Sequence, residues 1–439
     1  MFVASTYSKK ELFTDTDPDL VIIHSNELVT MNTKYGAPRI GERMSELAII
    51  EDGAVAVKDD RIIFIGTTDE LISKYEFGKI PTKIDATNKL VTPGFTDPHT
   101  HIIFEGTREK ELSMKLEGKT YIEILKAGGG ILKTVRETRQ ATVEKLVENG
   151  KKILDRMMSY GTTTLEAKSG YGLTTESEIK QLRAIEILND EHPLDIIPTF
   201  LGAHAIPPEY ENKTDEYVKL IISDMIPKIV NERLAEFCDV FCEEGIFSIK
   251  QTRKILKTAI RYGLKPQIHI DEIVDTNGAM LASEIRAIQT GHLLKSNDEG
   301  LKAMAETGVI ATLLPGTPFC LMLDEYAPAR KMIELEIPIA LATDLNPNCW
   351  TESMQFVIAL ACYHMKLSPA EALTAATINS ACAVQKQDEI GSLEIGKKAD
   401  LIVFEVPNHQ FLPYHFGVNL ALKVIKNGKI IVDNEAYST

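Results

Sequence analysis

Apolar runs of strand length alternate with helix-like segments between about residues 93 and 385. Eight of these runs are typical of buried strands: one ends at Phe95, and the others span 162–167, 196–201, 237–242, 266–270, 291–294, 309–314 and 339–342. Strands that alternate with helices form parallel βαβ units. Eight such units predict an α/β fold with a (β/α)8 barrel of the TIM type.

The segments between the strands show helical periodicity. Residues 144–158 carry apolar side chains at helical spacing before Gly161 stops the pattern. The segment from Thr175 to Glu178 has the form of a capping box, which predicts that a second helix begins there.

Both ends of the chain have a different pattern of short strands and turns. Strands are predicted at 19–24, 53–58, 61–66 and 399–404, with a hairpin over 424–432 around Asn427 and Gly428. The two ends are therefore expected to build one small β-sandwich domain. The predicted domain spans are 1–92 and 386–439 for that domain and 93–385 for the barrel.

Composition narrows the classes of function. With 439 residues, 44% hydrophobic and 25% charged, the chain is typical of a globular protein, and its net charge of -15 argues against a nucleic-acid partner. No apolar run reaches the ~20 residues of a membrane span, and residues 1–10 lack the apolar stretch of a secretory signal. A cytoplasmic location and a small-molecule substrate are expected. The six cysteines show no C-x-x-C pair and are interpreted as buried thiols.

Polar side chains cluster where the predicted barrel strands end. A barrel enzyme carries its active site at the C-terminal ends of its strands. Histidines or an aspartate follow or end five of the eight strands: His99, His101, His204, His269, His292 and Asp344. Residues two apart on a strand point to the same side, so His99 and His101 can approach one ion.

This pattern predicts a metal centre. The inferred ligands are His99, His101, His269 and Asp344, nitrogen and oxygen donors that suit one Zn²⁺ or Fe²⁺. A water at such an ion has its pKa lowered to about 7, so hydrolysis is the expected chemistry. After the fourth strand stand Glu243 and Glu244 without a lysine, which favours one metal and leaves a glutamate bridge open.

Glu272 follows the fifth strand and is a candidate proton shuttle towards a leaving nitrogen. A solvated helix-cap acid is the alternative for this residue.

The chain resembles the amidohydrolase superfamily in residues 93–101, in His269, His292 and Asp344, and in residues 391–403. Within it, the strings at 101–108, 119–124, 127–131, 162–172, 200–204 and 343–348 resemble the imidazolonepropionase family. That resemblance implies ring opening of 4-imidazolone-5-propanoate by water to give N-formimidoyl-L-glutamate. It also implies one divalent metal per subunit and a homodimer.

The same resemblance implies roles for single residues. Arg108 carries a guanidinium fork that suits the substrate carboxylate, with a surface ion pair as the alternative. The remaining implied substrate contacts come from Tyr171, His204, Glu272, Asn346 and Asn348. The implied catalytic residues are Glu272, His292 and Asp344, among which the acid and base roles stay open.

Two other functions fit parts of the pattern. A deaminase of the cytosine or guanine type shares the histidine and aspartate arrangement, but its substrate lacks a flexible carboxylate. A metal-free barrel scaffold is the second alternative, although such scaffolds typically lose ligand histidines and this chain has all of them.

Overall fold

The fold was obtained as a computed structural model, which describes residues 17–32, 34, 36–119, 123 and 127–435. Residues 1–10, with their predicted lack of a secretory signal, and most of the family-like run 119–124 lie outside the described residues. Among the described helices, none has both the length and the apolar character that a bilayer crossing requires.

The N-terminal part of the chain forms short strands that end where the barrel begins. They are β1 (Leu20–Ser25), β2 (Glu27–Val29), β3 (Ile49–Ile50), β4 (Gly53–Lys58), β5 (Arg61–Thr67), β6 (Thr82–Asp85) and β7 (Leu90–Pro93). Four of them form a sheet in the order β5-β4-β1-β6.

Eight parallel strands follow and pair in sequence order, as a barrel requires. They are β8 (Phe95–Asp97), β9 (Thr162–Lys168), β10 (Asp195–Ala203), β11 (Phe237–Cys242), β12 (Lys265–Ile270), β13 (Gln289–His292), β14 (Ile310–Leu313) and β15 (Ile339–Leu341). The predicted barrel is confirmed.

The C-terminal strands return to the N-terminal ones. They are β16 (Leu401–Phe404), β17 (Ala421–Lys426) and β18 (Lys429–Asp433), and the second small sheet has the order β18-β17-β16-β7-β2-β3. Because this sheet combines strands from both ends, the predicted shared β domain is confirmed. The exact domain boundaries stay a prediction.

Helices occupy most of the connections. They are α1 (Thr68–Lys74), α2 (Glu109–Leu116), α3 (Ile131–Gln140), α4 (Val143–Ser159), α5 (Thr175–Glu191), α6 (Thr214–Leu220), α7 (Ile226–Asn231), α8 (Ile249–Arg261), α9 (Gly278–Ile285), α10 (Asp298–Thr307), α11 (Gly316–Cys320), α12 (Ala329–Glu334), α13 (Met354–Met365), α14 (Pro369–Ala376), α15 (Ile378–Ala383) and α16 (Phe411–Tyr414). A π-helical turn, Ile221–Met225, joins α6 to α7. Short 3-10 turns lie at Gly41–Ser45, Phe77–Lys79 and Pro208–Tyr210.

The barrel closes at the ends that carry the polar residues. The amide of Asp344 donates to the carbonyl of His99 at 3.1 Å, and the amide of His101 donates to the carbonyl of Leu345 at 2.8 Å. These bonds connect the segments that follow β8 and β15. They therefore place two predicted metal-binding segments side by side.

Two local predictions were wrong in their placement. The sixth barrel strand ends at His292 rather than extending to residue 294, because His292 (φ 76°) and Leu293 (φ 64°) leave the extended conformation. The cap of α5 is Thr174, whose side chain accepts from the amide of Ser177. Glu178 does not complete a capping box, since its carboxylate accepts amide hydrogens from the preceding loop, among them those of Gly172 and Leu173.

Candidate active site

Three imidazoles converge at the C-terminal end of the barrel. Nε2 of His99 lies 2.9 Å from Nε2 of His269, which is 3.4 Å from Nε2 of His101. All three side chains are buried, and one nitrogen from each lies within 4.8 Å of the other two. The structure thus brings together the three histidines that the sequence pattern singled out.

Asp344 lies beside two of these imidazoles. Its Oδ1 is 3.6 Å from Nε2 of His99 and 3.4 Å from Nε2 of His101. The hydroxyl of Thr317 donates to Oδ2 of Asp344 at 2.5 Å and orients the carboxylate. Asp344 has φ 50°, a left-handed conformation that aspartate adopts only uncommonly. The fourth predicted ligand is therefore held at the edge of the histidine cluster.

The protonation states suit a cation. Burial lowers the pKa of His101, lowers that of His99 well below its usual value, and lowers that of His269 to about 4. Burial raises the pKa of Asp344, but its hydrogen bonds with His101 and Thr317 and the electrostatic influence of the surrounding histidines lower it more, so the net pKa is depressed. Neutral imidazoles next to a carboxylate are a donor set that fits a divalent metal ion.

One cavity of about 670 Å³ joins the cluster to the other predicted site residues. Every predicted catalytic, substrate-binding and metal-binding residue except His99 lines it: His101, Arg108, Tyr171, His204, His269, Glu272, His292, Asp344, Asn346 and Asn348. The site residues come from distant parts of the sequence, and the barrel collects them at one mouth.

Glu272 and His292 form a pair on one side of this cavity. Oε2 of Glu272 lies 3.5 Å from Nε2 of His292, and the Glu272 side chain is 16% exposed. Burial raises the pKa of Glu272 above its usual value. This environment differs from that of the solvated cap acid considered as the alternative.

Glu243 anchors the segment that carries Glu272. Its carboxylate accepts the amide hydrogens of Glu272 at 3.1 Å, Ile273 at 2.9 Å and Val274 at 3.3 Å. A carboxylate held by these amides is a loop anchor. These bonds argue against Glu243 as a bridge between two metals.

Gly291 explains how His99 fits beside His292. A Cβ atom at residue 291 would lie 2.7 Å from Cε1 of His99, which is closer than real side-chain contacts allow. A larger residue there would require the His99 imidazole to shift.

The residues predicted to contact the substrate differ in the partners that they have within the protein. The Tyr171 side chain is buried beside the ring of His204, and Nδ1 of His204 pairs with the carbonyl of Gly170 at 3.1 Å. Oδ1 of Asn346 accepts the amides of Asn348 and Cys349, while its Nδ2 donates to the carbonyl of Asp344. Asn346 thus organises its own loop and keeps one amide hydrogen for a ligand.

Arg108 pairs with Glu111, a residue that the sequence reasoning missed. Nε and Nη2 of Arg108 donate to the two carboxylate oxygens of Glu111 at 2.9 and 2.7 Å. The arginine side chain is only 12% exposed, which does not suit the surface ion pair considered as the alternative. Lys115, also missed, donates to Oδ1 of Asn348 at 2.8 Å and so holds one side chain of the cavity wall. Arg108 and Glu111 are three residues apart at the start of a helix, a spacing that predicts an ion pair from the sequence alone.

An acid behind the histidines was missed as well. Oδ1 of Asp239 lies 3.1 Å from Nδ1 of His269, on the side of the ring away from His99 and His101. The signal was available in principle, because Asp239 is the one charged residue of the apolar strand β11 (Phe237–Cys242).

Comparison with known proteins identifies the family. The amidohydrolase family model matches residues 90–431. An imidazolonepropionase of Alkaliphilus metalliredigens is 52% identical over 416 residues, which cover 94% of this chain and 98% of that protein. The chain belongs to the imidazolonepropionase family. A second member of this family, from Geobacillus kaustophilus, is 49% identical over 421 residues and covers 95% of the chain and 99% of its own length.

Solved structures share the fold at much lower identity. An adenosine deaminase from Xanthomonas campestris with bound zinc has a TM-score of 0.70 at 17% identity and covers 95% of this chain and 94% of its own. Guanine deaminase from E. coli has a TM-score of 0.69 at 14% identity, with coverage of 94% and 99%. At these identities the likeness shows the barrel fold alone, whereas the imidazolonepropionase relatives share about half of their residues with the chain.

Proposed function

We propose that this chain hydrolyses 4-imidazolone-5-propanoate to N-formimidoyl-L-glutamate, a step of histidine degradation. The observation that carries the proposal is the shared cavity, which is lined by His101, His269 and Asp344 of the proposed metal centre and also by the cation Arg108. A substrate with a hydrolysable ring and a flexible carboxylate matches both features. The names of the imidazolonepropionase relatives support the same reaction.

The proposed cofactor is one Zn²⁺ or Fe²⁺ held by His99, His101, His269 and Asp344. These donors suit either metal, and both accept imidazole and carboxylate ligands. When bound, the cation activates a water and polarises the carbonyl that the water attacks.

The propanoate group is proposed to bind at the Arg108 end of the cavity. Glu111 accepts from Nε and from one hydrogen of Nη2, so the two hydrogens of Nη1 and the second hydrogen of Nη2 remain as donors for the substrate. Tyr171 and His204 line the same cavity beside His101 and are proposed to hold the ring. Asn346 and Asn348 line the cavity and are proposed to contact the substrate, with Asn346 hydrogen-bonding the product or its carboxylate.

The proton transfers are assigned from the local environments. Asp344, with its depressed pKa, is an anion near neutral pH and is proposed to take a proton from the attacking water. Glu272, with its raised pKa, is proposed to give a proton to the ring nitrogen as the carbonyl carbon–nitrogen bond breaks. His292 is proposed to stabilise the carbonyl oxygen. One water is added, and the products are a carboxylate and a formimidoyl N–H.

A product assay tests this function. Purified protein supplied with 4-imidazolone-5-propanoate is expected to form N-formimidoyl-L-glutamate, detected by mass spectrometry, and to leave cytosine and guanine unchanged. Deamination of either base without ring opening of the imidazolone would establish the deaminase alternative instead.

Replacing Arg108 by alanine is expected to raise KM about 10- to 100-fold with a smaller change in kcat. The reason is the loss of a charge-assisted hydrogen bond to the substrate, worth roughly 1.5–3 kcal/mol. Steady-state kinetics on 4-imidazolone-5-propanoate measure the effect.

The matched control for Arg108→Ala is Arg183→Ala, which removes an exposed arginine that pairs with Glu186 and Glu232. It should leave KM unchanged. The substrate analogue is an imidazolone that bears an ethyl group instead of the propanoate. If Arg108→Ala raised KM for this analogue as much as for the substrate itself, the carboxylate role of Arg108 would be contradicted.

Three further expectations stay predictions: a cytoplasmic location, a homodimer, and the absence of nucleic-acid and membrane partners. The net charge of -15 supports the absence of a nucleic-acid partner.

A further inference from the structure

A fully buried lysine lies beneath the three imidazoles. Lys168 is the last residue of β9, and its side chain is wholly inaccessible to solvent. Its Nζ donates to Oε1 of Glu166 at 2.8 Å, Oδ2 of Asp239 at 2.9 Å and Oε1 of Gln267 at 3.0 Å. All three ammonium hydrogens therefore have an acceptor, and the acceptors come from β9, β11 and β12.

One arm of this cluster reaches His269. Asp239 accepts from Lys168 through Oδ2 and faces Nδ1 of His269 through Oδ1. A carboxylate at Nδ1 fixes the tautomer with hydrogen on that nitrogen and leaves the lone pair on Nε2, which is the atom that faces His99 and His101. Lys168 thus acts on the imidazole through one intervening side chain.

The second arm reaches the segment between the other two histidines. Oε2 of Glu166 accepts the amide hydrogen of Thr100 at 3.3 Å, and the hydroxyl of Thr100 donates to the Glu166 carbonyl at 2.6 Å. The amide of Lys168 itself donates to the Thr100 carbonyl at 3.0 Å. The backbone that carries His99 and His101 is therefore fixed to the same cluster.

We propose that Lys168 is a positioning residue that holds Glu166 and Asp239, and through them the three imidazoles, in the geometry that binds the metal. The inference rests on the proposed metal centre. Two carboxylates within 2.9 Å of one nitrogen share a desolvated space, and without the ammonium they would repel each other and leave buried charges unpaired. Movement of either carboxylate would then release His269 or the segment around Thr100.

The test measures how fast metal leaves the loaded protein in the presence of a colorimetric chelator. Asp239→Asn removes the charge next to His269 without leaving a buried carboxylate unpaired. Lys168→Met combined with Glu166→Gln removes the cation and one anion together, which protects folding. Both variants are expected to lose zinc about 10- to 100-fold faster than the wild type, the usual size of an effect on groups that orient metal ligands. Excess zinc should restore most of the turnover, because all four ligands remain.

Lys426→Met is the matched control. Lys426 is also buried and bridges two carboxylates, Asp195 and Asp400, but it lies on β17, away from the imidazoles. It should lower the unfolding temperature of the metal-free protein while zinc release stays at the wild-type rate.

The proposal is overturned if the double variant or Asp239→Asn keeps zinc as long as the wild type, or if Lys426→Met releases zinc equally fast. Failure of the proposed metal centre would look different, because the wild type itself would then bind no stoichiometric metal. Failure of the proposed reaction alone would appear in the product assay and would leave the differences in zinc release unchanged.

Discussion

Removal of the divalent cation with a chelator is expected to lower the rate of imidazolone hydrolysis at least about 10³-fold, and added Zn²⁺ or Fe²⁺ is expected to restore it. Lewis-acid activation contributes several kcal/mol to the stabilisation of a hydrolytic transition state, and each 1.36 kcal/mol is a factor of ten in rate. Glu272 and His292 are the further catalytic residues proposed in the cavity, but neither supplies the charge of a divalent cation. Product formation and bound metal should be measured on the same samples.

The control is the fold of the metal-free protein. The circular dichroism spectrum should stay that of the loaded protein, because the large hydrophobic core of the barrel does not include the proposed ligands. Full activity at a metal content far below one ion per chain would contradict the proposed centre. Absence of metal together with absence of activity in the freshly purified protein would support the scaffold alternative.

The barrel could be predicted because its strands are short, apolar and separated by helices. The prediction for 237–242 has the same bounds as β11 (Phe237–Cys242), since the apolar run ends where the acids Glu243 and Glu244 begin. The prediction for the sixth strand lies two residues too far towards the C-terminus. Its apolar run continues through Leu293 and Leu294, and nothing in composition indicates that His292 and Leu293 adopt left-handed backbone.

The positions of the candidate ligands could be predicted from one rule, that polar residues at strand ends of a barrel meet at one face. Their supports could not. Lys168 and Asp239 are 71 residues apart, and a pairing of that kind depends on strand register and side-chain direction rather than on local pattern. Glu243 is a similar case. Its carboxylate oxygens accept hydrogen bonds from amides about 30 residues later in the chain, whereas the sequence alone allowed this residue to be a bridge between two metals.

Replacing Glu272 by glutamine is expected to lower kcat about 10²- to 10⁴-fold, the usual contribution of a general acid or base, with little change in bound metal. Burial raises the pKa of Glu272, so the protonated form that donates to the ring nitrogen persists to higher pH than for an ordinary glutamate. As pH rises through that pKa, the wild type loses its proton donor and kcat falls. Glutamine does not titrate, so the variant should show a low rate without this alkaline decline.

The pH profile of kcat separates this role from a merely structural one. Glu244→Gln is the matched control, because Glu244 lines the same cavity on an exposed position and is expected to leave both the rate and the profile unchanged. If Glu272→Gln keeps the alkaline decline, the titrating group lies elsewhere and Glu272 is not the acid.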